Sequence, residues 1–164
     1  MKADIILFHE EHWTAVAETY RLGLLTRNST FEVEVPDFNN WCGKFHQHLL
    51  WVAIANDEII GWAGLSPVSL RKAYAGVAEV TIYIHPDHQG KGIGKQLMNH
   101  LVEESEKAGI WTLFASIFPE NIASINLHVS NGFREIGYRE KIAKLDDQWR
   151  NTILFERRSK KVGL

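Results

Sequence analysis

The sequence predicts a mixed α/β fold, and three observations carry that prediction. Residues Glu79 to Ile84 alternate between apolar and other side chains, the pattern of a strand with two unlike faces. Ile93, Leu97, Met98, Leu101 and Val102 then recur at helical spacing, with Glu103, Glu104, Glu106 and Lys107 off the stripe. Trp51 to Ala55 and Ile59 to Leu65 are apolar runs joined by Asn56-Asp57-Glu58, a hairpin signal.

The remaining elements follow in chain order. Ile5 to Phe8 reads as a short buried strand, and Trp13, Val16, Ala17, Tyr20 and Leu24 predict a helix over His12 to Leu25. Asn28 to Glu32 is a polar loop interrupted by Phe31. Pro36-Asp37 starts a second helix that runs to about His46. Ser66 to Gly76 is a loop before the central strand, and the helix after that strand covers Lys95 to Ala108. Trp111 to Phe118 is a strand, and Asn121 to Ser130 a short helix closed by Asn131-Gly132. Phe133 to Ile142 and Asn151 to Glu156 complete the strands, with Asp146-Asp147 in the turn between them. There is no internal repeat, low-complexity segment or linker, so residues 1–164 are expected to form a single domain.

Composition narrows the function. Apolar residues make up 45% of the chain, enough for a packed core without disulfides or metal. A formal net charge of −2 gives no support for nucleic-acid binding, and the basic tail Arg157 to Lys161 reads as a solvated terminus. No apolar run is long enough to span a bilayer, and Met1-Lys2-Ala3-Asp4 leads into only four apolar residues, so a cytoplasmic location is expected. Cys42 is the single cysteine and reads as a packed thiol. The histidine pairs His9/His12, His46/His48 and His85/His88 match no zinc motif, and no metal is expected.

The stretch His85-Pro86-Asp87-His88-Gln89-Gly90-Lys91-Gly92-Ile93-Gly94 carries the chemistry. It joins a strand to a helix, where glycines admit close approach of a ligand and the first helical N–H groups lack partners. Counting back five residues from Gly94-Lys95 gives Gln89, and Gln96 follows, so a P-loop is excluded. Gly90, Gly92 and Gly94 are spaced by two, which does not fit a dinucleotide fingerprint. What remains is Gln-x-x-Gly-x-Gly at a strand-to-helix junction.

That pattern resembles the pyrophosphate loop of the GNAT acetyltransferase superfamily. The wider segments Ala78 to Gly94 and Asn121 to Phe133, with Arg71-Lys72-Ala73-Tyr74 upstream, resemble its phosphinothricin (amino-acid) N-acetyltransferase branch. The resemblance implies an α+β fold with a mixed, mostly antiparallel sheet flanked by helices. It also implies acetyl-CoA as cosubstrate, a small amine or amino-acid acceptor and a homodimer. The Glu of the Ala-Glu-x-x-x-Tyr pattern, Glu79, stands at the catalytic base. Chemistry asks for such a group, since an amine attacks a thioester only when neutral and a carboxylate can take its proton.

By the same resemblance, Ile82, Tyr83 and Ile84 offer backbone groups to the acyl arm. Gln89, Gly90, Lys91, Gly92, Ile93, Gly94 and Lys95 hold the pyrophosphate, and Asn121 holds the pantetheine. Read from the residues alone, Asn121 is also a helix N-cap, and Lys91 and Lys95 are also ordinary lysines at a helix start. His128 stands where many superfamily members carry a Tyr that protonates the leaving thiolate. Lys72, Ala73 and Tyr74 are expected to line the acceptor site, with Phe31 as a lid aromatic and Trp62 and Tyr83 as further candidates. Two rivals stay open. One is acetylation of another amine, such as a polyamine or a protein N-terminus, and the other is an acyl-CoA sensor without turnover.

Overall fold

A computed structural model describes residues 1–164. Seven strands form one sheet: β1 (Asp4–Leu7), β2 (Leu50–Ala55), β3 (Glu58–Pro67), β4 (Val77–Ile84), β5 (Thr112–Ile117), β6 (Arg134–Leu145) and β7 (Gln148–Arg158). Their spatial order is β1-β2-β3-β4-β5-β7-β6, and every neighbouring pair is antiparallel except β4 with β5. Four helices accompany them: α1 (Trp13–Leu25), α2 (Phe38–Cys42), α3 (Ile93–Lys107) and α4 (Ile122–Ser130). None of these helices is long and apolar enough to cross a membrane.

Alternation along the strands divides the core in two. Trp51 and Ala53 face one side of β2, where they meet the α3 stripe of Ile93, Leu97, Met98 and Leu101. Leu50 and Val52 face the other, where they meet Val16, Tyr20 and Leu24 of α1 and the rings of Trp41 and Trp62. On β4, Val80, Ile82 and Ile84 pack on the first side, as the alternation requires. Tyr83 packs on the second, its ring stacked on Trp62 at 5.3 Å and edge-on to Tyr20 at 4.9 Å.

Both hairpin turns use left-handed residues. Asn56 and Asp57 have φ of 51° and 62°, and Asp146 and Asp147 have φ of 48° and 62°. Two consecutive positive φ values suit the right-handed twist of the strands they join, and Asn and Asp tolerate that region best among non-glycine residues.

The structure departs from the sequence reading in several places. β1 is an edge strand with Ile6 and Leu7 exposed rather than a buried one, because nothing covers its outer side. The helix after β4 starts at Ile93 rather than Lys95. The basic tail is not a solvated terminus: Arg157 and Lys161 pair with Glu106 of α3, and Ser159 is buried against it. The second helix ends at Cys42 rather than near His46. The Asp37 carboxylate caps its start by accepting from the Asn40 N–H at 2.9 Å, but Gly43 follows and a 3-10 turn at Gln47–Leu49 leads into β2. The last two strands are longer than expected and form a hairpin reaching from Arg134 to Arg158. The loop before β4 contains a 3-10 turn at Lys72–Tyr74.

What positions the site is a split in the sheet. β4 pairs with β5 only over Val77–Glu79 with Thr112–Phe114. Beyond that point β4 stays on β3 as far as Ile84, and β5 stays on β7 as far as Ile117, so the two halves diverge.

Candidate active site

A cleft of about 1270 Å³ fills the split. It is lined by Glu79, Ile82, Tyr83 and Ile84 of β4, by Gln89, Gly90, Gly92, Ile93, Gly94 and Lys95, by Asn121 and His128 of the α4 segment, and by Phe31. Residues separated by nearly a hundred positions thus meet in one space. Lys91 is not among the lining residues, and its ammonium donates to the Asp87 carbonyl at 2.6 Å. Lys72, Ala73 and Tyr74 are exposed and also lie outside the lining. The reason is that β3 and β4 pair as far as Pro67 with Ala78, so their connecting loop leaves the sheet beyond Glu79.

The backbone of β4 is divided between its two edges. The His85 N–H donates to the Ile60 carbonyl at 2.9 Å in unbroken register, so odd-numbered residues of β4 turn their N–H and C=O toward β3. Ile82 and Ile84 turn theirs toward the gap left by β5, and there the Ile84 carbonyl accepts from the Gln89 side chain at 3.3 Å. Tyr83 therefore reaches the cleft through its ring and not through its backbone. Its hydroxyl donates to Ser29 Oγ at 3.4 Å, and burial pushes its pKa up to about 12.

The glycine loop leaves its backbone donors free. Gly90 and Gly92 have φ of 72° and 82°, a region that a β-carbon disfavours. The first helical bond runs from the Gln96 N–H to the Gly92 carbonyl, and no backbone bond uses the N–H groups of Gly90 to Lys95. Five of these six residues, all but Lys91, line the cleft at the start of α3, where the helix carries partial positive charge, and Lys95 adds a full one.

The Glu79 carboxylate makes no hydrogen bond and no ion pair, and the residue is half-buried. Burial raises its pKa above the ordinary carboxylate range, and the nearby positive charge of Arg139 offsets part of that rise. An unpartnered carboxylate of raised basicity beside an open cleft can accept a proton from an amine.

His128 is 3% exposed, and its ring sits edge-on to Phe133 at 4.9 Å. Its Nδ1 lies 2.7 Å from the Ser124 carbonyl, an atom that only accepts, so Nδ1 carries the proton. Nε2 is then a bare lone pair, and it has no partner. Burial lowers the pKa, while the bond to Ser124 opposes that shift. The resting imidazole is thus neutral near pH 7 and accepts at Nε2, and it can donate there only after taking up a proton.

Asn121 performs its capping role, accepting at Oδ1 from the Ser124 N–H at 3.1 Å, while its Nδ2 donates to the Asn28 carbonyl at 3.0 Å. That second bond ties the α1–α2 loop to the cleft. Phe31 in this loop meets Phe118 edge-on at 4.9 Å. The sequence reading missed the far wall, where Arg139, Ile142, Ala143 and Thr152 line the same cleft. No local pattern marks them, because they belong to a hairpin that arrives from the opposite end of the sheet.

Residues 9–133 match the Acetyltransferase (GNAT) family. The chain is 31% identical over 124 residues to the L-amino acid N-acyltransferase MnaT of Escherichia coli, an alignment covering 73% of this chain and 72% of that protein. It is 26% identical over 140 residues to the L-methionine sulfoximine/L-methionine sulfone acetyltransferase of Salmonella typhimurium, covering 82% of each. The crystal structure of a phosphinothricin acetyltransferase from Sinorhizobium meliloti in complex with AcCoA superposes with a TM-score of 0.89 at 27% identity, over 99% of this chain and 91% of that one.

Proposed function

The chain belongs to the GNAT family of acetyltransferases, and from that premise we propose that it transfers the acetyl group of acetyl-CoA to the α-amino group of a small amino acid or analogue of the phosphinothricin or methionine sulfoximine kind. The observation that carries the proposal is one cleft in which an unpartnered Glu79 and the free N–H groups of Gly90 to Lys95 lie at opposite ends of the exposed edge of β4. A donor with a pyrophosphate at one end and a thioester at the other fits that layout.

The residues divide the work. The N–H groups of Gly90 to Lys95 and the Lys95 ammonium receive the pyrophosphate. Ile82 and Ile84 present backbone groups to the amides of the arm, and an N–H at this edge can polarise the acetyl carbonyl. Glu79 takes the proton of the acceptor amine, directly or through one water. His128, once protonated at Nε2, returns a proton to the departing thiolate. The aromatic wall of Phe31, Trp62 and Tyr83 excludes water around the acceptor. Transfer is direct, with both substrates bound, and Cys42 takes no part: its thiol donates to Gln47 Oε1 at 3.1 Å, and Cys42 does not line the cleft.

The reading includes a cytoplasmic homodimer. Its support within the chain is the edge strand β6, where Ile136, Tyr138 and Ile142 are about half exposed. Light scattering at micromolar concentration checks the mass.

The test incubates the protein with acetyl-CoA and methionine sulfoximine, phosphinothricin, the common amino acids, spermidine or an N-terminal peptide, and follows thiol release. Release with amino-acid acceptors and intersecting initial-rate plots are expected. Release confined to spermidine or the peptide overturns the acceptor class. Coenzyme A binding with no amine-dependent release from any acceptor establishes the sensor instead.

A further inference from the structure

The far wall of the cleft carries groups to which the reaction as described gives no task. Arg139 stands on β6 directly opposite Thr152 of β7, so the two side chains share a face, and both line the cleft. Thr152 is 4% exposed, and its hydroxyl has no hydrogen-bond partner. An unsatisfied buried hydroxyl facing a cleft marks a place where a ligand or water is bound.

Arg139 is set apart from the other arginines. Five of them face a carboxylate, Arg158 is held by backbone carbonyls, and Arg71 lies over the Tyr74 ring. The Arg139 side chain makes no hydrogen bond, ion pair or ring contact. Its place is fixed by the backbone. The β6–β7 register shifts between Arg139 and Ala143, Lys141 adopts φ 47° in the bulge, and the Lys141 N–H donates to Asn151 Oδ1 at 2.7 Å. Of the other cationic side chains on the cleft, Lys44 faces Glu32 at 4.0 Å and Lys95 sits at the glycine loop. Arg139 is the one within electrostatic reach of Glu79.

We propose that Arg139, with the hydroxyl of Thr152, binds the carboxylate of the amino-acid acceptor while Glu79 faces its amino group. This rests on the reading of the enzyme as an α-amino-acid acetyltransferase and names the residues that would make it one. An α-amino acid carries its two opposite charges on neighbouring carbons, and the cleft offers one negative and one positive group whose side chains have no partners, the half-buried Glu79 and the exposed Arg139. A guanidinium takes a carboxylate through two parallel hydrogen bonds, and the hydroxyl can donate a third. A polyamine, with positive charge in place of the carboxylate, would be repelled.

The experiment compares wild type with R139Q, R139K and T152V on two acceptors, L-methionine sulfone and its carboxamide. The reading is the ratio of kcat/KM for the acid to that for the amide. R139Q is expected to lower that ratio about 10- to 100-fold through KM for the acid, R139K to recover part, and T152V to lower it about 3- to 10-fold. Unchanged thermal melting and unchanged acetyl-CoA KM separate this from misfolding. A ratio within twofold of wild type in R139Q, with the acid still acetylated by wild type, overturns the Arg139 assignment and leaves the amino-acid reading standing. Acetylation of the amide but not the acid by wild type overturns both.

Discussion

Two glutamates in this chain are withdrawn from solvent and treated in opposite ways. Glu106, near the end of α3, is 7% exposed and receives Arg157 at 3.1 Å, Ser159 at 2.9 Å and Lys161 at 3.2 Å. Burial pushes its pKa up, but the hydrogen bonds from Ser159, Lys161 and Arg157 together bring it below the ordinary value. Glu79 has no hydrogen-bonded or ionic partner, and burial raises its pKa. One carboxylate is a fastener that ties the C-terminal segment to α3, and the other has no donor that holds it charged. The difference lies in whether the fold supplies donors, because a buried carboxylate without them favours its neutral form.

The comparison is sharpened most by Glu79→Gln. Loss of the base is expected to lower kcat/KM about 10²- to 10⁴-fold at pH 7 in a thiol-release assay. The same change is expected to raise the melting temperature at neutral pH. A carboxyl whose folded pKa is raised contributes stability below its unfolded value near 4.5 and loses it as pH rises through the folded value, so the neutral amide gains above that window. Full activity in Glu79→Gln across pH would remove the base from the reaction.

Next comes Glu106→Gln, expected to destabilise by about 2 kcal/mol, with a fall in melting temperature of about 4–8 °C, since Arg157 loses its partner. Acetyl-CoA KM should not move, because Glu106 does not line the cleft. Its pH signature is the reverse of Glu79. A lowered folded pKa contributes stability above 4.5 that is lost as pH falls through the folded value, so wild type and variant should converge in acid.

A smaller effect comes from paired glycines. Gly92→Ala and Gly109→Ala both place a β-carbon in open space at φ of 82° and 80°. Each should cost about 1–2 kcal/mol from left-handed strain, read by chemical denaturation. Only Gly92→Ala should also raise acetyl-CoA KM, because only Gly92 lines the cleft. Equal KM changes in the two would detach the loop from the donor.

The smallest effect is on the pH profile of the wild type. kcat/KM should rise with pH through a value above the normal glutamate range, and that step should vanish in Glu79→Gln. A step at the ordinary carboxylate value would show Glu79 to be solvated in the working enzyme.

The glycine-loop end of the cleft was readable in the chain because its signals are local. Gly90 and Gly92 take left-handed φ within the segment that announces them, and the α3 stripe begins at once. A glutamate in an apolar strand is likewise visible without any partner. Hairpin turns at Asn56-Asp57 and Asp146-Asp147 were legible for the same reason, since the turn type is set by the two residues in it.

Only the tertiary structure decided the rest. Which backbone groups of β4 stay free depends on where β5 leaves it, and that makes Ile82 and Ile84 available while Tyr83 is committed to β3. The proton on His128 is placed by a carbonyl four residues away and by burial that only packing produces. Lys72 to Tyr74 fall outside the cleft because the β3–β4 ladder runs past Glu79, and Arg139 enters it because two register shifts bend a distant hairpin. The sequence by itself determined the fold class and the glycine-rich turn, because backbone conformation and side-chain periodicity are properties of neighbouring residues. The far wall of the cleft was decided by long-range strand pairing, which no short stretch of the chain encodes.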